Sequence, residues 1–364
     1  MKRPFALIGI TYLSVQAALF YLESDLAAAI LTAVCFIGTI VSLFILKNRN
    51  LRHTVLGFCL TAAFASTIFS GYNIFVKQPI VDKYSEREIY VTATVLEQPT
   101  VQYDTYRYLI ETDSINGKIE KLKICLSTIN ELNVEEFDRI SCVLPLKECT
   151  KSQMIADGAF LQASVNKNFA YIVKKTDDKP LYYQAVKIRE NFADSFEQNM
   201  SQDCASLCRA VLLGEKTALS QEIQNDFTRC GVSFLIVVSG MHLAIISSFV
   251  FLCIKKIIKN RVLRSMIMLI CAFSFMAVTG FAPSVVRAGV MLAVVYSGKM
   301  FMRKGDSLNS LGIAALILTV PNPTAVADVG MLLSFTATLG IILWARKNFS
   351  LYKWAKFAKF ERLK

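Results

Sequence analysis

The sequence predicts a polytopic α-helical membrane protein of about eight spans, with a small extracytoplasmic β-barrel domain inserted after the third span. Of the 364 residues, 54% are hydrophobic and 19% are charged, whereas soluble globular domains have about 25% charged residues. Apolar runs long enough to cross a bilayer occur in both halves of the chain. Between them the pattern changes to the two-residue alternation that is typical of β-strands.

Eight apolar runs predict the spans. Three precede the polar middle of the chain and five follow it: Phe5–Leu22, Leu26–Leu46, Val55–Val76, Val232–Ile254, Val262–Ala282, Val285–Phe301, Leu308–Val320 and Val329–Ala345. The first run lacks a small-residue cleavage site and a second run follows it closely, so we expect a retained helix rather than a signal peptide. The predicted domains are residues 1–76 (three spans), 77–175 (β domain), 176–231 (interfacial helices), 232–345 (five-span bundle) and 346–364 (basic cytoplasmic tail).

The distribution of basic residues predicts the orientation. The net charge is +12, and Lys and Arg concentrate at the N-terminus, in alternate linkers and in the tail. The opposite short linkers, residues 23–25, 281–284 and 321–328, contain neither Lys nor Arg. By the positive-inside rule the N-terminus is cytoplasmic and residues 77–231 are extracytoplasmic. The positive charge is therefore interpreted as a topology signal rather than as evidence of nucleic-acid binding.

Five stretches of the middle segment predict strands: Ile89–Gln98, Tyr106–Thr112, Lys121–Ser127, Arg139–Leu146 and Asn168–Lys174. Five strands in this length favour a closed barrel of the OB type, and such barrels often bind single-stranded nucleic acid by aromatic stacking over a basic groove. Tyr103, Tyr106 and Tyr108 are the candidate stacking residues. Acidic and basic residues nearly balance in this segment. The alternative, that these tyrosines serve packing, therefore stays open.

Two helical patterns follow the strands. The stretch LYYQAVKIRENFADSFEQNM predicts an amphipathic helix on the membrane surface or on the bundle. Its expected apolar face is Ala185, Phe192, Phe196 and Met200, with Arg189, Glu190, Asp194 and Glu197 elsewhere. A helix, a turn at Gly214 and a second helix capped by Ser220 then lead into the fourth span.

The fourth span carries polar residues in its middle. The stretch GVSFLIVVSGMHLAIISSFVFLCI contains Ser239, Gly240 and His242, which must face protein or a water-filled path. Gly240 favours a break in the helix, and broken helices expose backbone groups to ligands in transporters. His242 is a candidate for binding phosphate or base, or for gating by protonation. The alternative is a histidine hydrogen-bonded within the bundle and without a further role.

Arg287 and Asp328 are two further candidates for the same path. An Arg about one turn into a span costs ~2.5–3.5 kcal/mol or more unless it is paired or solvated. Its planar fork is suited to a phosphate, and the alternatives are snorkelling or a structural ion pair. Asp328 is interpreted either as the partner of Arg287 or as a helix N-cap.

The remaining residue types limit the chemistry. Four cysteines fall in predicted spans and six in the extracytoplasmic segment, where a disulfide could persist, with the connectivity left open. With two histidines and no CxxC pair, we expect no zinc site and no cofactor. Since no GxxxxGK[ST] motif is present, energy is expected from a partner ATPase or from the ion gradient.

Three motifs in order resemble the ComEC family of competence proteins. They are LLGEKTALSQEIQNDFTRCGVSFLIVVSGMHLA (Leu212–Ala244), TGFAPSVVRAGVML (Thr279–Leu292) and DSLNSLGIAALILTVPNPTAVADVGMLLSFTATLGI (Asp306–Ile341). The resemblance implies a channel in the bacterial cytoplasmic membrane that carries single-stranded DNA during natural transformation. Its expected partners are that DNA, membrane lipid, a DNA receptor, a cytoplasmic ATPase, a separately encoded nuclease domain and further copies of the chain.

The sequence also departs from the family pattern. Phe234 occupies a position where members often have a His. Many members continue into a metallo-β-lactamase-like domain, but this sequence has no His-x-His-x-Asp-His cluster. We therefore expect a truncated or split member, or a fragment, that is not an enzyme and has no nuclease centre. Two other functions stay open: a small-solute or ion carrier built on a broken-helix bundle, and a structural scaffold.

Overall fold

The computed structural model describes residues 3–22, 25–44, 49–97, 99–102, 105–165, 169–175, 182–215, 219–302 and 305–344. The chain divides into two compact units. One consists of Met1–Phe69 with Ala293–Lys364, and the other is Ser70–Leu292. Of the sites predicted above, Tyr103 and the basic tail lie outside the described residues.

Helices dominate both ends of the described chain. In order they are α1 (Pro4–Leu22), α2 (Asp25–Phe44), α3 (Arg49–Tyr72), α4 (Gln78–Tyr84), α5 (Ser152–Ala156), α6 (Tyr183–Asn199), α7 (Gln202–Cys208), α8 (Gln221–Arg229), α9 (Gly240–Ile257), α10 (Arg261–Val278), α11 (Pro283–Met300), α12 (Ser307–Thr319) and α13 (Val329–Trp344). Short π-helical turns at Asn73–Lys77 and Arg209–Leu213 follow α3 and α7, and 3-10 turns at Ser233–Ile236 and Pro323–Ala327 precede α9 and α13.

Four helices in the described ranges are long and apolar enough to cross a membrane: Pro4–Leu22, Leu51–Tyr84, Gly240–Ile257 and Arg261–Val278. They support the prediction of a membrane protein. Every predicted span overlaps a helix: α2 is 20 residues long, and Ser307–Thr319 and Val329–Trp344 are shorter apolar helices. The count of eight spans therefore stays a prediction.

Two predicted boundaries differ from the structure. The third span does not end at Val76, because a π-helical turn carries α3 directly into α4, and the first strand begins only at Arg87. The predicted span Val232–Ile254 is not α-helical in its first third, which agrees with the break that Gly240 favours. There the chain forms a 3-10 turn at Ser233–Ile236 and an extended Val237, and the helix begins at Gly240.

In the unit formed by the two ends of the chain, α1 packs directly against α12. Arg3 Nε lies 2.6 Å from Asp306 Oδ2. Further along the two helices, Gly9 contacts the backbone of Gly312. A Cβ on Gly312 would overlap the carbonyl group of Phe5. Because contacts advance in the same direction along both helices, α1 and α12 run parallel. Close backbone contact between small residues is a common basis of helix packing in membranes.

The second unit contains the β domain. Its strands are β1 (Arg87–Val95), β2 (Thr100–Gln102), β3 (Thr105–Ile115), β4 (Lys118–Ile119), β5 (Lys123–Thr128), β6 (Arg139–Glu148), β7 (Ala159–Val165) and β8 (Tyr171–Lys174). Five of them close a barrel in the order β1-β3-β5-β7-β6, with β6 pairing back to β1. All these pairings are antiparallel except that of β5 with β7. The prediction of a five-stranded barrel is confirmed.

The identity of the fifth barrel strand was predicted incorrectly. The barrel takes Ala159–Val165, whereas the predicted strand at 168–174 forms the short β8, which pairs with β6 at Arg139–Cys142. The stretch AFLQASV is buried at five of its seven positions without strict alternation, so its pattern does not identify it as a strand. By contrast, β8 alternates in burial, as expected for a strand with one solvated face.

The barrel interior is filled by branched aliphatic side chains. Those with less than 2% exposure include Val91, Ile110, Ile124, Leu126, Ile140, Leu144, Leu146 and Leu161. Burial of each such side chain stabilises the folded state by about 1.5–3 kcal/mol. The ten cysteines are all free thiols in the structure. Burial raises the pKa of Cys142 in this core to about 12, so its thiol is inert.

The helices between barrel and bundle lie where the sequence predicts them. The turn at Gly214 (φ 87°) and the cap at Ser220, whose Oγ accepts from the Ile223 N–H at 3.3 Å, are confirmed. On the predicted apolar face of α6, Phe192 is 51% exposed, so this face does not pack on the bundle and its placement on the membrane surface stays a prediction. The buried residues of α6 are instead Val186, Arg189 and Ala193.

We predict that Gly312→Ala destabilises the protein, although Ala favours a helix by ~1 kcal/mol over Gly. The new Cβ would overlap the Phe5 carbonyl, and overpacking costs about 1–3 kcal/mol. Thermal unfolding of the purified chain in detergent measures the effect. Gly340→Ala in α13 is the control, since a Cβ there has no neighbour within 4 Å. Equal unfolding temperatures for the two variants would contradict the packing described.

Candidate functional site

A reciprocal cap between Ser239 and His242 fixes the start of α9. Ser239 has an extended backbone (φ −133°, ψ 164°) and is the N-cap, and His242 is the third helical residue. His242 Nδ1 accepts a hydrogen bond from the Ser239 backbone N–H at 3.1 Å and lies 3.1 Å from Ser239 Oγ. This is a capping box in which His takes the place of Glu or Gln. The polar residues therefore begin a helix instead of interrupting one.

The cap also fixes the tautomer of His242. Because Nδ1 accepts a backbone N–H, the proton of the neutral imidazole lies on Nε2. His242 is half-buried. Its second ring nitrogen is then a hydrogen-bond donor that the cap does not use. Protonation of Nδ1 would remove the acceptor and loosen the first turn of α9.

The start of α9 is held against the start of α11. Ser284 Oγ donates a hydrogen bond to the Val238 carbonyl at 2.7 Å, which satisfies a backbone acceptor in the non-helical segment. Gly240 faces α11 so closely that a Cβ would lie 2.7 Å from Ala288 Cβ. A residue larger than Gly would therefore separate the two helices. Sequence reasoning included Ser284 in the second motif but assigned it no role.

Arg287 lies on the same face of α11. It follows Ser284 by three positions and precedes Ala288, and residues three and four apart share a helix face. Its side chain is buried, with 9% exposure. The structure therefore brings the second motif, with Ser284 and Arg287, onto the first motif, with Gly240. Val238, Leu243, Ala272 and Val285 form the apolar cluster behind this contact.

Asp328 has the role that its capping interpretation predicts. Its Oδ1 accepts from the Gly330 N–H at 2.9 Å at the start of α13. The preceding turn is closed by Asn322, whose Oδ1 accepts from the Thr324 hydroxyl at 2.6 Å and from its N–H at 3.2 Å. Asp328 belongs to the unit formed by the chain ends, and Arg287 belongs to the other unit. Its assignment to the same path as Arg287 stays a proposal.

The tyrosines of β3 face the barrel interior. Tyr108 is 1% exposed, and its hydroxyl accepts from the Leu132 N–H at 2.8 Å. A ring buried in this way is not accessible to a base, so Tyr108 is a core residue and not a stacking residue. Tyr106 is half-buried and packs on the same core. Since residues two apart share a strand face, this is the expected result for Tyr106 and Tyr108.

An acidic cleft lies beside the barrel. It has a volume of about 240 Å³ and carries five carboxylates and one guanidinium, from Glu97, Glu131, Glu135, Glu136, Glu190 and Arg209. Burial, followed by the charges of Asp157 and Glu136, raises the pKa of Glu97 to about 7. A cleft with this charge repels phosphodiesters at neutral pH. Among the described residues, no cluster of three or more His, Cys, Asp or Glu has an arrangement that could hold a metal ion.

Comparison with known proteins agrees with the motifs. Residues 211–361 match the family model described as Competence protein. ComE operon protein 3 of Bacillus subtilis (strain 168) is 24% identical over 161 residues, which are 44% of this chain and 21% of that protein. The aligned region thus spans about a fifth of that relative. No solved structure matches the chain. The resemblance to the competence family is therefore confirmed.

The matched region contains the site described above. It includes Ser239, Gly240, His242, Ser284 and Arg287, and it extends over α13 with Asp328. It does not include the β barrel, which lies before residue 211. The family match therefore supports the helical contact between α9 and α11 as the candidate site, and the barrel has to be interpreted from its own structure.

The raised pKa of Glu97 predicts a pH dependence of stability. A carboxyl whose pKa is raised on folding contributes stability below its unfolded pKa, near 4.5, and this contribution is lost as the pH rises to about 7. Glu97→Gln should therefore flatten the fall in unfolding temperature between these pH values. Because the Glu97 side chain keeps contact with solvent, we expect a gain of ~1 kcal/mol or less at pH 8.

The control for this measurement is Glu120→Gln. Hydrogen bonds from Tyr84 and Lys83 lower the pKa of Glu120, so its stabilisation is present above the unfolded pKa and is lost in acid. Removing that carboxylate should lower the unfolding temperature at neutral pH. If wild type and Glu97→Gln show the same pH profile, the assignment of a perturbed Glu97 is wrong.

Proposed function

We propose that the chain is a component of a DNA-uptake channel that moves single-stranded DNA across the cytoplasmic membrane during natural transformation. The observation that carries the proposal is the meeting of two helix starts, those of α9 and α11, beside a buried arginine. The match of residues 211–361 to the competence family supports it. The role is transport, and no catalytic step is assigned to the chain.

The electrostatics of this contact suit a passing phosphate. The first N–H groups of a helix lack intrahelical acceptors, and the dipole places about half a positive charge at that end. Both α9 and α11 are 18 residues long and begin at this contact. Arg287 adds a full charge whose planar fork can hold two phosphate oxygens. His242 Nε2–H and the hydroxyl of Ser239 supply weaker donors to phosphate or base.

A transport path for a polyanion works better with a small number of cationic contacts than with a large number. A polyanion bound by a dense basic wall would be released slowly, because each neutralised phosphate adds to the salt-dependent affinity. The contact between α9 and α11 has one arginine, and helix ends contribute partial charges only. We therefore assign Ser239, Gly240, His242 and Arg287 to the path.

Helix directions support the proposed eight-span topology. In that arrangement the first and seventh spans both run outwards, and α1 and α12 are parallel in the structure. The fourth and sixth spans both begin on the outer side, and α9 and α11 begin at one contact. We propose that the N-terminus is cytoplasmic and that residues 77–231 are extracytoplasmic.

We infer that the barrel is of the OB type. Five strands that close with one parallel pairing, between β5 and β7, support this assignment. Its acidic cleft disfavours a DNA groove on that side, and we expect weak, salt-sensitive binding of single strands at most. Energy is then supplied by a cytoplasmic ATPase or by the ion gradient, and a DNA receptor and a separate nuclease domain complete the machinery.

We predict that His242→Ala and Arg287→Ala each reduce transformation by at least about tenfold, as expected when ~1.4 kcal/mol of stabilisation along the path is lost. Arg287→Lys should restore part of the loss, since an ammonium keeps the charge but not the fork. The measurement is transformation frequency in a naturally competent host, normalised to the amount of protein in the membrane. The controls are Met241→Ala, at an exposed position next to His242, and Arg261→Ala, at the exposed start of α10.

Normal transformation by a well-expressed His242→Ala, Arg287→Ala double variant would exclude this path. If the single variants lose protein in proportion to function, the residues serve the scaffold. Binding of a small anion that depends on Arg287, without an effect on DNA, would instead favour a small-solute or ion carrier.

The topology is tested by cysteine accessibility in a background without the exposed native cysteines. A membrane-impermeant thiol reagent on intact cells should label Ile119→Cys, which is 89% exposed on the barrel. It should not label Lys259→Cys, between α9 and α10, until the cells are opened. The reverse pattern would overturn the proposed orientation.

A further inference from the structure

A buried ion network joins the β domain to the helices that follow it. The Arg189 guanidinium lies between two carboxylates: its Nη2 donates to Glu136 Oε1, and its Nε lies 3.0 Å from Glu215 Oε1. The three side chains are 5%, 5% and 3% exposed. Glu215 Oε2 also accepts a hydrogen bond from Arg209 Nε at 3.0 Å. These groups come from the loop before β6, from α6 and from the turns on either side of Gly214.

Burying three charges has a physical consequence. Each ion loses its hydration, and pairing repays the loss only with good geometry. Burial raises the pKa of Glu136, against the effect of Arg189. Burial alone would lower the pKa of Arg189, but Glu136 and Glu215 reverse that effect. Apolar residues would fill the same space at equal or lower cost. The network therefore fixes one arrangement of these segments and adds little to stability.

The network touches the turn between α10 and α11. A Cβ on Gly280, which has φ 66°, would lie 2.9 Å from Arg189 Nη1. A Cβ on Gly214 would lie 3.4 Å from the Thr279 carbonyl oxygen and 3.8 Å from Val238 Cγ2. The ion network is thus one contact away from Val238, whose carbonyl oxygen accepts from Ser284.

A cluster of three aromatic rings joins the same two segments independently. Tyr182 has its ring centroid 5.8 Å from that of Phe137 and 5.3 Å from that of Phe281. Both phenylalanines have positive φ, 70° and 51°, which is unfavourable for a bulky residue. Such strain persists where surrounding contacts determine the conformation. The loop before β6 and the α10–α11 turn are therefore held in fixed positions on either side of the start of α6.

From these contacts we propose that Arg189 is a positioning residue: with Glu136 and Glu215 it locks the β barrel to the α10–α11 turn and so sets the position of Ser284 and of the Ser239–His242 segment. This rests on the proposed function, because the positioned residues are those assigned to the DNA path. A movement of the barrel is then transmitted to the start of α9 through two turns.

The test separates positioning from stability. Arg189→Met alone leaves a buried carboxylate without its partner and is expected to fold poorly. The informative variant is Glu136→Met with Arg189→Met, which removes one charge of each sign while Glu215 keeps Arg209. We expect near-normal expression and unfolding temperature. Asp113→Met with Arg139→Met is the control, because this ion pair, whose atoms are 3.2 Å apart, joins β3 to β6 and does not link the barrel to the helices.

Two readouts are needed. Spin labels are attached at Ile119 on the barrel and at Ser233 before α9, in the full chain without its exposed native cysteines. They report the distribution of distances between these two positions. It should be narrow in the parent and the control, and broad in the Glu136→Met, Arg189→Met variant. Transformation should fall about tenfold in that variant, as expected for mutations within a coupling network.

The outcomes distinguish this inference from the proposed function. A narrow distribution in the Glu136→Met, Arg189→Met variant overturns the lock, even where His242→Ala and Arg287→Ala abolish uptake. A broad distribution with normal uptake also overturns it. A broad distribution with reduced uptake, at normal protein levels and with an unaffected control pair, supports it. Failure of the proposed function is seen separately, as normal uptake in the His242→Ala, Arg287→Ala variant.

Discussion

The hydrogen bond from the Ser284 hydroxyl to the Val238 carbonyl joins two segments that are 46 residues apart in the chain. Beside it, Gly240 allows α9 to approach Ala288 of α11. A membrane protein tolerates non-helical backbone at membrane depth only where other groups satisfy its polar atoms. Ser284 does so for Val238, and the capping box of Ser239 and His242 does so for the first turn of α9. Without these contacts the helix could not start where it does.

The rest of the second unit is arranged around this start. Val238 contacts the turn at Gly214, and that turn carries Glu215 into the ion network with Arg189. The network reaches the barrel through Glu136, and Tyr182 reaches it through Phe137. A continuous series of contacts thus connects a soluble-type barrel with a helix that begins in an apolar environment. Ion pairs, ring contacts and close approaches at glycines make these steps.

Charge is distributed differently in the two parts of this unit. The cleft beside the barrel is acidic, and burial, followed by the charges of Asp157 and Glu136, raises the pKa of Glu97 to about 7. The contact of α9 with α11 carries Arg287 and two helix starts, and is positive. A polyanion is therefore repelled from the cleft and attracted to the helical contact. This difference supports the helical contact, and not the cleft beside the barrel, as the site of the proposed DNA path.

The sequence by itself determined the helical character of both ends, the five-stranded barrel, the turn at Gly214, the cap at Ser220, and the motifs that match the competence family. These are local properties: apolar periodicity, turn chemistry and side chains that bond to their own backbone within three residues. The sequence did not determine that AFLQASV closes the barrel, because a strand buried on most sides shows no alternation to recognise.

Only the tertiary structure decided that α9 begins at Gly240, since an apolar run is compatible with a continuous helix until Ser284 and Ala288 are seen against it. The same applies to Arg189, which the pattern of α6 places on a polar face. Its partners Glu136 and Glu215 are distant in sequence, and a charged residue is stable in a core only where the fold supplies opposite charges. Periodicity reports which residues prefer water, whereas the partners that make burial possible are set by the three-dimensional arrangement of the chain.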